Sequence, residues 1–287
     1  MAVSATTPGA APLPTEPSGW RCLGIDFTSA PGPRKPIVIA HGAIRDDGLH
    51  LLGLERLVTL GQFREALRRP GPWIGAFDLP FGLPRAFVQG QGWPLQWAAC
   101  MTHYCAQPRD QLRERFKAWC DARPVGSKFA HRATDGSAGS SPSMKWVNPP
   151  VAWMMHAGVP CLREAGLHLP GLAEGDRTRV ALEAYPGMLA RRIDRRSYKS
   201  DARAGDTAAR RAVRRALVDA LLQGRVPVGL ALRASDPLLE QLVAEPGADG
   251  LDAVFCLAQA AWAACRHRHG YGMPTGVDPL EGWILGA

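Results

Sequence analysis

Dense apolar runs divide the first part of the chain into strands. Three of them follow one another with only short turns between: WRCLGIDF (20–27), KPIVIAHGAIR (35–45) and GLHLLGLERL (48–57). Apolar residues then recur at helical spacing in TLGQFREALRR (59–69), where Thr59 is the expected N-cap. A fourth apolar run, PWIGAFDLPFGLP (72–84), predicts a strand that ends on Asp78. The chain is therefore expected to begin with three strands, a helix and a strand.

The second part of the chain adds one more strand between helical segments. Residues 85–123 are predicted to be mainly helical. RVALEAYPG (179–187) predicts a fifth strand, which ends on Glu183. Two strong helices follow, at 206–224 and 249–267. The second of these is apolar on most faces, which indicates that it is buried.

The connections between the predicted strands indicate the architecture. Strands joined by short turns pair antiparallel, whereas strands separated by helices add in parallel. The pattern therefore predicts an α/β fold, a mixed sheet with helices on both faces, in a single domain over residues 20–287. Residues 124–178 contain a stretch rich in Ser, Gly and basic residues without periodicity, and are expected to be a long insertion. Residues 1–19, rich in Ala, Pro, Thr and Ser, are predicted to be a disordered tail.

Composition narrows the class of protein. No apolar stretch is long enough to span a bilayer, and the N-terminus lacks the basic segment and apolar core of a secretory signal. The seven cysteines are scattered without metal-site spacing, which predicts reduced thiols in a cytoplasmic protein. The formal net charge of +8 permits a polyanionic partner such as nucleic acid.

Acidic residues mark the ends of three predicted strands, at Asp26, Asp78 and Glu183. Asp249 and Asp252 open the last helix three residues apart, so they share one face. Ligands of α/β sheets bind at the carboxyl ends of the strands. Carboxylates gathered there, with no matching set of lysines beside them, would repel one another, and a divalent cation that prefers oxygen ligands would relieve the repulsion. The pattern predicts an Mg²⁺ or Mn²⁺ site formed by these five residues.

Some of these acids have a simpler interpretation as well. A strand-terminal aspartate such as Asp26 often bonds the backbone amides of the turn that follows it. Asp249 suits the positive end of a helix dipole. Asp252 lies further inside an apolar helix, where neither explanation applies as readily.

Five side chains are expected to contact the substrate. Thr28 and Arg85 lie just after the first and the fourth strands, Lys145 lies in the insertion, and Arg192 and Lys199 follow the fifth strand. Basic side chains at these places would meet phosphate groups, although Arg85 would equally pair with the acid that ends its own strand. The arginines further along fit the solvated face of a helix at least as well: Arg210, Arg211, Arg214 and Arg215.

Five motifs together resemble the domain-of-unknown-function 429 family: GIDFTSAPGPRKPI (24–37), FDLPFGLPR (77–85), KWVNPPVAWM (145–154), LEAYPGMLARR (182–192) and LDAVFCLAQAAW (251–262). Its members are described as predicted nucleases with a ribonuclease H-like fold, and the resemblance runs from about Trp20 to the C-terminus. It implies a five-stranded mixed sheet in the order 3-2-1-4-5 with helices on both faces. The segment 124–178 departs from the ribonuclease H pattern.

The resemblance also implies roles for the acids. Asp26 matches the acid of the central first strand, Asp78 the acid that closes the adjacent fourth strand, and Asp252 the acid of the last helix. Glu183 matches a recurrent position on the fifth strand. The expected activity is hydrolysis of a phosphodiester in nucleic acid by water that Mg²⁺ or Mn²⁺ activates.

Two other functions stay open at this point. A non-catalytic protein could keep the fold in order to bind nucleic acid or another partner. An actin-like ATP-dependent phosphotransferase would use Thr28 and Ser29 to contact phosphates, but it needs two lobes and a Gly-rich adenosine motif, and neither is evident. The sequence does not indicate an oligomeric state.

Overall fold

Seven strands form one mixed sheet in the computed structural model, which describes residues 13–200, 205–226 and 229–287. The strands are β1 (Arg21–Asp26), β2 (Ile37–Arg45), β3 (Gly48–Leu57), β4 (Trp73–Asp78), β5 (Leu167–His168), β6 (Asp176–Glu183) and β7 (Leu232–Arg233). Their order across the sheet is β5-β6-β4-β1-β2-β3-β7. β1, β2 and β3 pair antiparallel, while β4, β6 and β5 extend the sheet in parallel from β1, and β7 pairs parallel to β3.

The predicted α/β class and mixed sheet are confirmed, but five strands in the order 3-2-1-4-5 are wrong in number and order. Each edge of the sheet carries an additional strand of two residues, β5 beside β6 and β7 beside β3. Two residues are too few to show the alternation from which a strand is recognised in a sequence. Between these edge strands the sheet runs β3-β2-β1-β4-β6.

Ten α-helices accompany the sheet in the part of the chain that the structure describes: α1 (Leu60–Leu67), α2 (Arg85–Gly90), α3 (Trp97–Ala106), α4 (Arg109–Asp121), α5 (Ala133–Ala138), α6 (Val151–Glu164), α7 (Pro186–Ile193), α8 (Ala208–Leu222), α9 (Asp236–Ala244) and α10 (Asp249–Ala264). The helices predicted after the third strand and near the C-terminus are confirmed as α1, α8 and α10. Thr59 caps α1, since its hydroxyl accepts a hydrogen bond of 3.1 Å from the backbone N–H of Gln62. Nearly all of α10 is buried, as its apolar sequence predicts.

The segment predicted to be an insertion contains elements of its own. Between residues 124 and 178 lie the short helix α5, the longer α6 and strand β5. Residues 1–12 of the predicted tail lie outside the described residues, and Pro17–Gly19 forms a 3-10 turn before the buried Trp20. Of the helices described, none combines the length and the apolar character needed to cross a bilayer.

Apolar side chains form two layers, one on each face of the sheet. Helices α7 to α10 pack on the face that carries Cys22 and Ile74, which we call the α10 face. Helices α1 to α4 and α6 pack on the opposite face, which carries Ile25 and Phe77 and which we call the α6 face. Because successive side chains of a strand point to opposite faces, residues two apart in one strand share a layer.

Helix α10 lies tightly against the sheet at Gly24, in the middle of β1. A Cβ atom on Gly24 would lie 2.0 Å from the carbonyl oxygen of Ala253 and 2.0 Å from the amide nitrogen of Leu257. Both distances are far inside van der Waals contact, so only glycine fits beneath the helix. This contact sets the first turn of α10 beside the carboxyl end of β1.

Candidate functional site: an acidic cluster at the sheet edge

Asp26 and Asp78 stand side by side at the carboxyl ends of two adjacent parallel strands. They are direct partners in the register between β1 and β4, and neighbouring strands are about 4.8 Å apart. Asp26 lies two residues after Gly24 and Asp78 two residues after Ala76, so both side chains project on the α10 face. Asp26 is buried and Asp78 is half-buried.

The first turn of α10 brings two further carboxylates, Asp249 and Asp252, to the same place, and both are buried. Burial raises the pKa of Asp26 well above its ordinary value, and the carboxylates of Asp252, Asp78 and Asp249 raise it further. Four of the five predicted metal-binding residues therefore come together, with Asp26 interacting with each of the other three. We call Asp26, Asp78, Asp249 and Asp252 the acidic cluster.

Two lysines accompany the acidic cluster, whereas the sequence predicts no matching set of lysines beside these carboxylates. Lys199 donates a hydrogen bond to one oxygen of Asp252, and the hydroxyl of Tyr198 donates to the other at 2.7 Å. Lys35 forms an ion pair of 2.5 Å with Asp249. Among the described residues, no three His, Cys, Asp or Glu side chains are grouped in a way that could hold a metal ion.

The segment that carries Lys199 is held in place by a buried arginine of α8. Arg214 donates to the carbonyl oxygens of Tyr198 at 2.9 Å and Val243 at 2.7 Å, and it forms an ion pair of 2.9 Å with Asp206. Its side chain is fully buried, so the expectation that it lies on a solvated helix face is wrong. Arg214 is a positioning residue for Tyr198 and thereby for the hydrogen bonds to Asp252.

Glu183 also lies at the carboxyl end of its strand, next to the acidic cluster, but its side chain lies on the opposite face of the sheet. It pairs with Phe77 in the register between β4 and β6, which places it on the α6 face. Both of its carboxylate oxygens accept hydrogen bonds from Arg132, at 2.6 and 2.7 Å, and one also accepts from the backbone N–H of Phe81 at 3.0 Å. Glu183 is thus engaged in a buried ion pair rather than in the acidic cluster.

Arg132 belongs to a loop that the sequence suggests as a substrate contact, but its role in a buried ion pair was not predicted. It is 3% exposed and also forms an ion pair of 2.9 Å with Asp135, and it donates to the carbonyl oxygen of Glu281. It thereby joins the insertion to β6 and to the C-terminal segment. No signal in the sequence separates Arg132 from the exposed basic residues around it, because its partners are distant along the chain.

The five predicted substrate-contacting residues lie in different surroundings. Thr28 is half-buried directly after β1, and Lys145 is half-buried just before α6. Arg85 pairs with Asp278 through two hydrogen bonds of 2.5 Å, so the alternative of a pair with the acid of its own strand is wrong. Arg192 is exposed and donates to a backbone carbonyl of the C-terminal segment at 3.1 Å. Lys199 alone touches the acidic cluster, as described above.

Asp78 gives the protein a specific dependence on pH. Burial raises the pKa of Asp78 to about 7, and the nearby carboxylates of Asp252 and Glu183 act in the same direction, while Lys199 and Lys35 oppose them. Because this pKa is higher in the folded than in the unfolded chain, the contribution of Asp78 to the free energy of unfolding falls as the pH rises from about 4 to about 7 and is level above that.

We therefore expect Asp78→Asn to stabilise the protein in EDTA by about 2 kcal/mol near pH 8, and by less than half of that near pH 5. Urea unfolding at the two pH values measures both differences. Asp110→Asn, a change at an exposed acid of α4, is the control and should have little effect at either pH. If the Asp78→Asn variant were less stable than the wild type near pH 8, the predicted stabilisation would be contradicted.

Comparison with known proteins adds no further constraint on this site. The chain matches no family model, no curated protein and no solved structure. The chemistry of the acidic cluster has to follow from its own residues and their surroundings.

Proposed function

We propose that the protein is a metal-dependent phosphodiesterase that cleaves nucleic acid, on a ribonuclease H-like variant of the α/β fold related to the domain-of-unknown-function 429 family. One observation carries the proposal. Asp26 and Asp78 lie side by side at the carboxyl ends of two central strands, and the buried helix α10 places Asp252 beside them. Burial and the neighbouring carboxylates raise the pKa of Asp26, which is a costly arrangement, and such arrangements concentrate at functional sites.

The chemical type of the donors suits a hard divalent cation, although among the described residues no three of these side chains are grouped around a common point, so binding would require them to move together. All the candidate ligands are carboxylate oxygens, which Mg²⁺ and Mn²⁺ prefer, and they come from Asp26, Asp78 and Asp252, with Asp249 beside them. Glu183 is left out of this proposal because Arg132 already engages both of its oxygens. A bound Mg²⁺ or Mn²⁺ would activate water for attack on the phosphodiester and offset the charge that develops on the phosphate.

The side chains around the acidic cluster have separate tasks in this proposal. Tyr198 fixes one oxygen of Asp252, and a bound cation would favour the ionised forms of Asp26 and Asp78, whose pKa values burial raises. Lys199 is the counter-charge of Asp252, a role that a bound cation would take over. Its side chain is 44% exposed, so its ammonium group can move into water when it leaves the carboxylate.

The proposal predicts that Mn²⁺ raises the melting temperature of the wild type, since a ligand of the folded state stabilises it. It also predicts Mn²⁺-dependent hydrolysis of bis(p-nitrophenyl) phosphate and of oligonucleotides. Asp26→Asn and Asp78→Asn should each lose the thermal shift and reduce hydrolysis by at least about a hundredfold, because each removes a charged ligand.

Asp110→Asn again provides the matched control, because it removes an exposed acid of α4 that is not part of the acidic cluster. This variant should keep both the Mn²⁺-dependent thermal shift and the hydrolysis. Circular dichroism establishes that each variant is folded before it is assayed. Full hydrolysis by Asp26→Asn or by Asp78→Asn would rule out this mechanism. An equal Mn²⁺ shift in the wild type and in both variants would rule out this metal site.

The ion pairs of Lys199 and Lys35 with the acidic cluster favour one alternative, a non-catalytic protein that binds nucleic acid. In such a protein the lysines would be permanent counter-charges and no cation would be required. The measurements of melting temperature and hydrolysis in Mn²⁺ separate the two functions. The alternative predicts that Mn²⁺ changes neither the melting temperature nor the rate of hydrolysis. It also predicts that oligonucleotides bind equally well in EDTA.

A further inference from the structure

A cavity of about 150 Å³ lies on the α6 face of the sheet, the face opposite the acidic cluster. Apolar side chains form most of its lining. Strand β1 contributes Leu23 and Ile25, strand β2 contributes Ile39, and the end of α1 contributes Ala66 and Leu67. An apolar cavity of about 150 Å³ is large enough to hold one benzene ring. The cavity therefore suits a single small ring.

The cavity exists because α1 covers only part of this face. The helix has eight residues, a length of about 12 Å, whereas β2 and β3 have nine and ten residues, a length of roughly 30 Å. Leu52 of β3 lines the cavity and is 56% exposed. The cavity is thus open to solvent on the side of β3, and a small molecule can enter there without a change in the fold.

Hydrogen bonds hold the segment between α1 and β4, which forms another wall of the cavity. The buried indole of Trp73 lines the cavity and donates to the carbonyl oxygen of Arg69 at 3.1 Å. Arg179 of β6 donates to the carbonyl oxygen of Leu67 at 3.0 Å. These bonds fix the wall before a ligand arrives, and a preformed site loses less conformational entropy on binding.

Three basic side chains complete the lining: Arg21, His41 and Arg69. The guanidinium of Arg69 donates two hydrogen bonds of 2.6 Å to the carboxylate of Glu55, and His41 lies 3.0 Å from the same carboxylate. Arg21 donates to the carbonyl oxygen of Pro70, which is a neutral acceptor. These contacts combine two guanidinium groups with one carboxylate, so the rim of the cavity carries positive charge. Arg21 retains further N–H donors for an anion.

We propose that this cavity binds a small aromatic carboxylic acid, with its ring among the apolar side chains and its carboxylate at Arg21. Arg21 and Leu23 are two residues apart in β1, so both side chains project on the α6 face and can contact the two ends of one ligand. A mainly apolar lining with a few polar groups is the usual form of a small-ligand site. A guanidinium binds a carboxylate through two parallel hydrogen bonds. The inference is independent of the proposed function, because this ligand would lie on the other face of the sheet from the acidic cluster.

The experiment is a ligand-detected NMR titration of the full chain with benzoate and with benzamide, a neutral molecule of the same shape. Benzoate is expected to bind at least about tenfold more tightly than benzamide, because only the carboxylate forms charge-assisted hydrogen bonds with Arg21. Arg21→Met should weaken benzoate binding by about tenfold and leave benzamide binding unchanged. Arg68→Met is the matched control, since it removes an exposed arginine at the end of α1 that is outside the lining. It should bind both molecules like the wild type.

A second pair of variants tests the apolar part of the cavity. Ala66→Leu fills the cavity with a larger side chain and should weaken the binding of both molecules by at least about tenfold. It should not lower the melting temperature, because the added carbon atoms occupy empty space. Ala118→Leu introduces the same side chain at an exposed position of α4 and should bind like the wild type. If Ala66→Leu fails to fold, Arg21→Met tests the proposal by itself.

Benzoate binding that is weakened in Arg21→Met and Ala66→Leu but kept in both controls supports the site. The inference is overturned if the wild type does not bind benzoate, if it binds benzoate and benzamide equally, or if Arg21→Met behaves like Arg68→Met. Benzoate binding that a folded Ala66→Leu variant retains would place the ring outside the cavity and overturns the inference as well.

Discussion

Gly24→Ala is expected to lower the free energy of unfolding by more than about 4 kcal/mol, which places it in the exceptional tail of single substitutions. The added methyl group would lie 2.0 Å from two backbone atoms of α10, the carbonyl oxygen of Ala253 and the amide nitrogen of Leu257. Backbone atoms of a buried helix cannot rotate away as a flexible side chain would. Either α10 shifts off the sheet or β1 bends, and both movements disturb the packing of the α10 face.

Chemical unfolding measures this loss, with Gly53→Ala as the matched control. Gly53 is also a glycine of a strand, β3, but a Cβ atom there would meet no atom within 4 Å. Its replacement should change the free energy of unfolding by no more than about 0.5 kcal/mol. Because α10 delivers Asp252 to the acidic cluster, any Gly24→Ala protein that remains folded should also lose the Mn²⁺ shift. Equal stabilities of the two variants would show that α10 does not rest on Gly24.

Arg132→Met is expected to destabilise the protein by about 3–5 kcal/mol near pH 8, the usual cost of leaving buried charges without their partner. Arg132 is the shared counter-charge of Glu183 and Asp135, and the side chains of all three are no more than 3% exposed. Burial already raises the pKa of Glu183, and Arg132 holds it down. Without Arg132 this pKa rises further, so protonation of Glu183 should recover part of the lost stability near pH 5.

The matched control is Arg113→Met, which removes an exposed arginine of α4 and should have little effect on stability. A second comparison isolates the charge. Adding Glu183→Gln and Asp135→Asn to Arg132→Met should restore part of the stability near pH 8, because it removes the two unpaired charges. If the triple variant were less stable than Arg132→Met, the loss would come from packing and not from charge.

The main strands could be predicted because they are long apolar runs, and β1 to β4 and β6 all lie where the sequence indicates. The helix α6 could not, for two reasons. It follows the prolines at 149 and 150, and it contains Pro160 in its interior, a residue that normally ends a helix. Tertiary packing against α1 and α3 sustains this helix in spite of its sequence.

The candidate site could be predicted in position but not in composition. Strand ends mark the correct edge of the sheet, and Asp26 and Asp78 meet there. A strand that is buried on both faces has apolar residues at every position, so its sequence does not reveal which face a terminal acid occupies. That face depends on the register with the neighbouring strand, and the register places Glu183 opposite Phe77 and away from the acidic cluster. The ion pairs of Lys35 and Lys199 escaped prediction because an ion pair between distant segments leaves no local pattern.

The short strands at the two margins of the sheet have a consequence for the protein in concentrated solution. An open sheet normally exposes unpaired backbone groups along its outermost strands, and these groups can recruit another chain and begin aggregation. Here each outermost strand, β5 and β7, has only two residues. However, β7 pairs with only Leu49 and His50 of the ten-residue β3, so in the part of the chain that the structure describes most of β3 has no strand partner on that side. Edge-to-edge association with a second copy would therefore use residues 51–57 of β3, where Glu55 and Arg56 place charges along the strand.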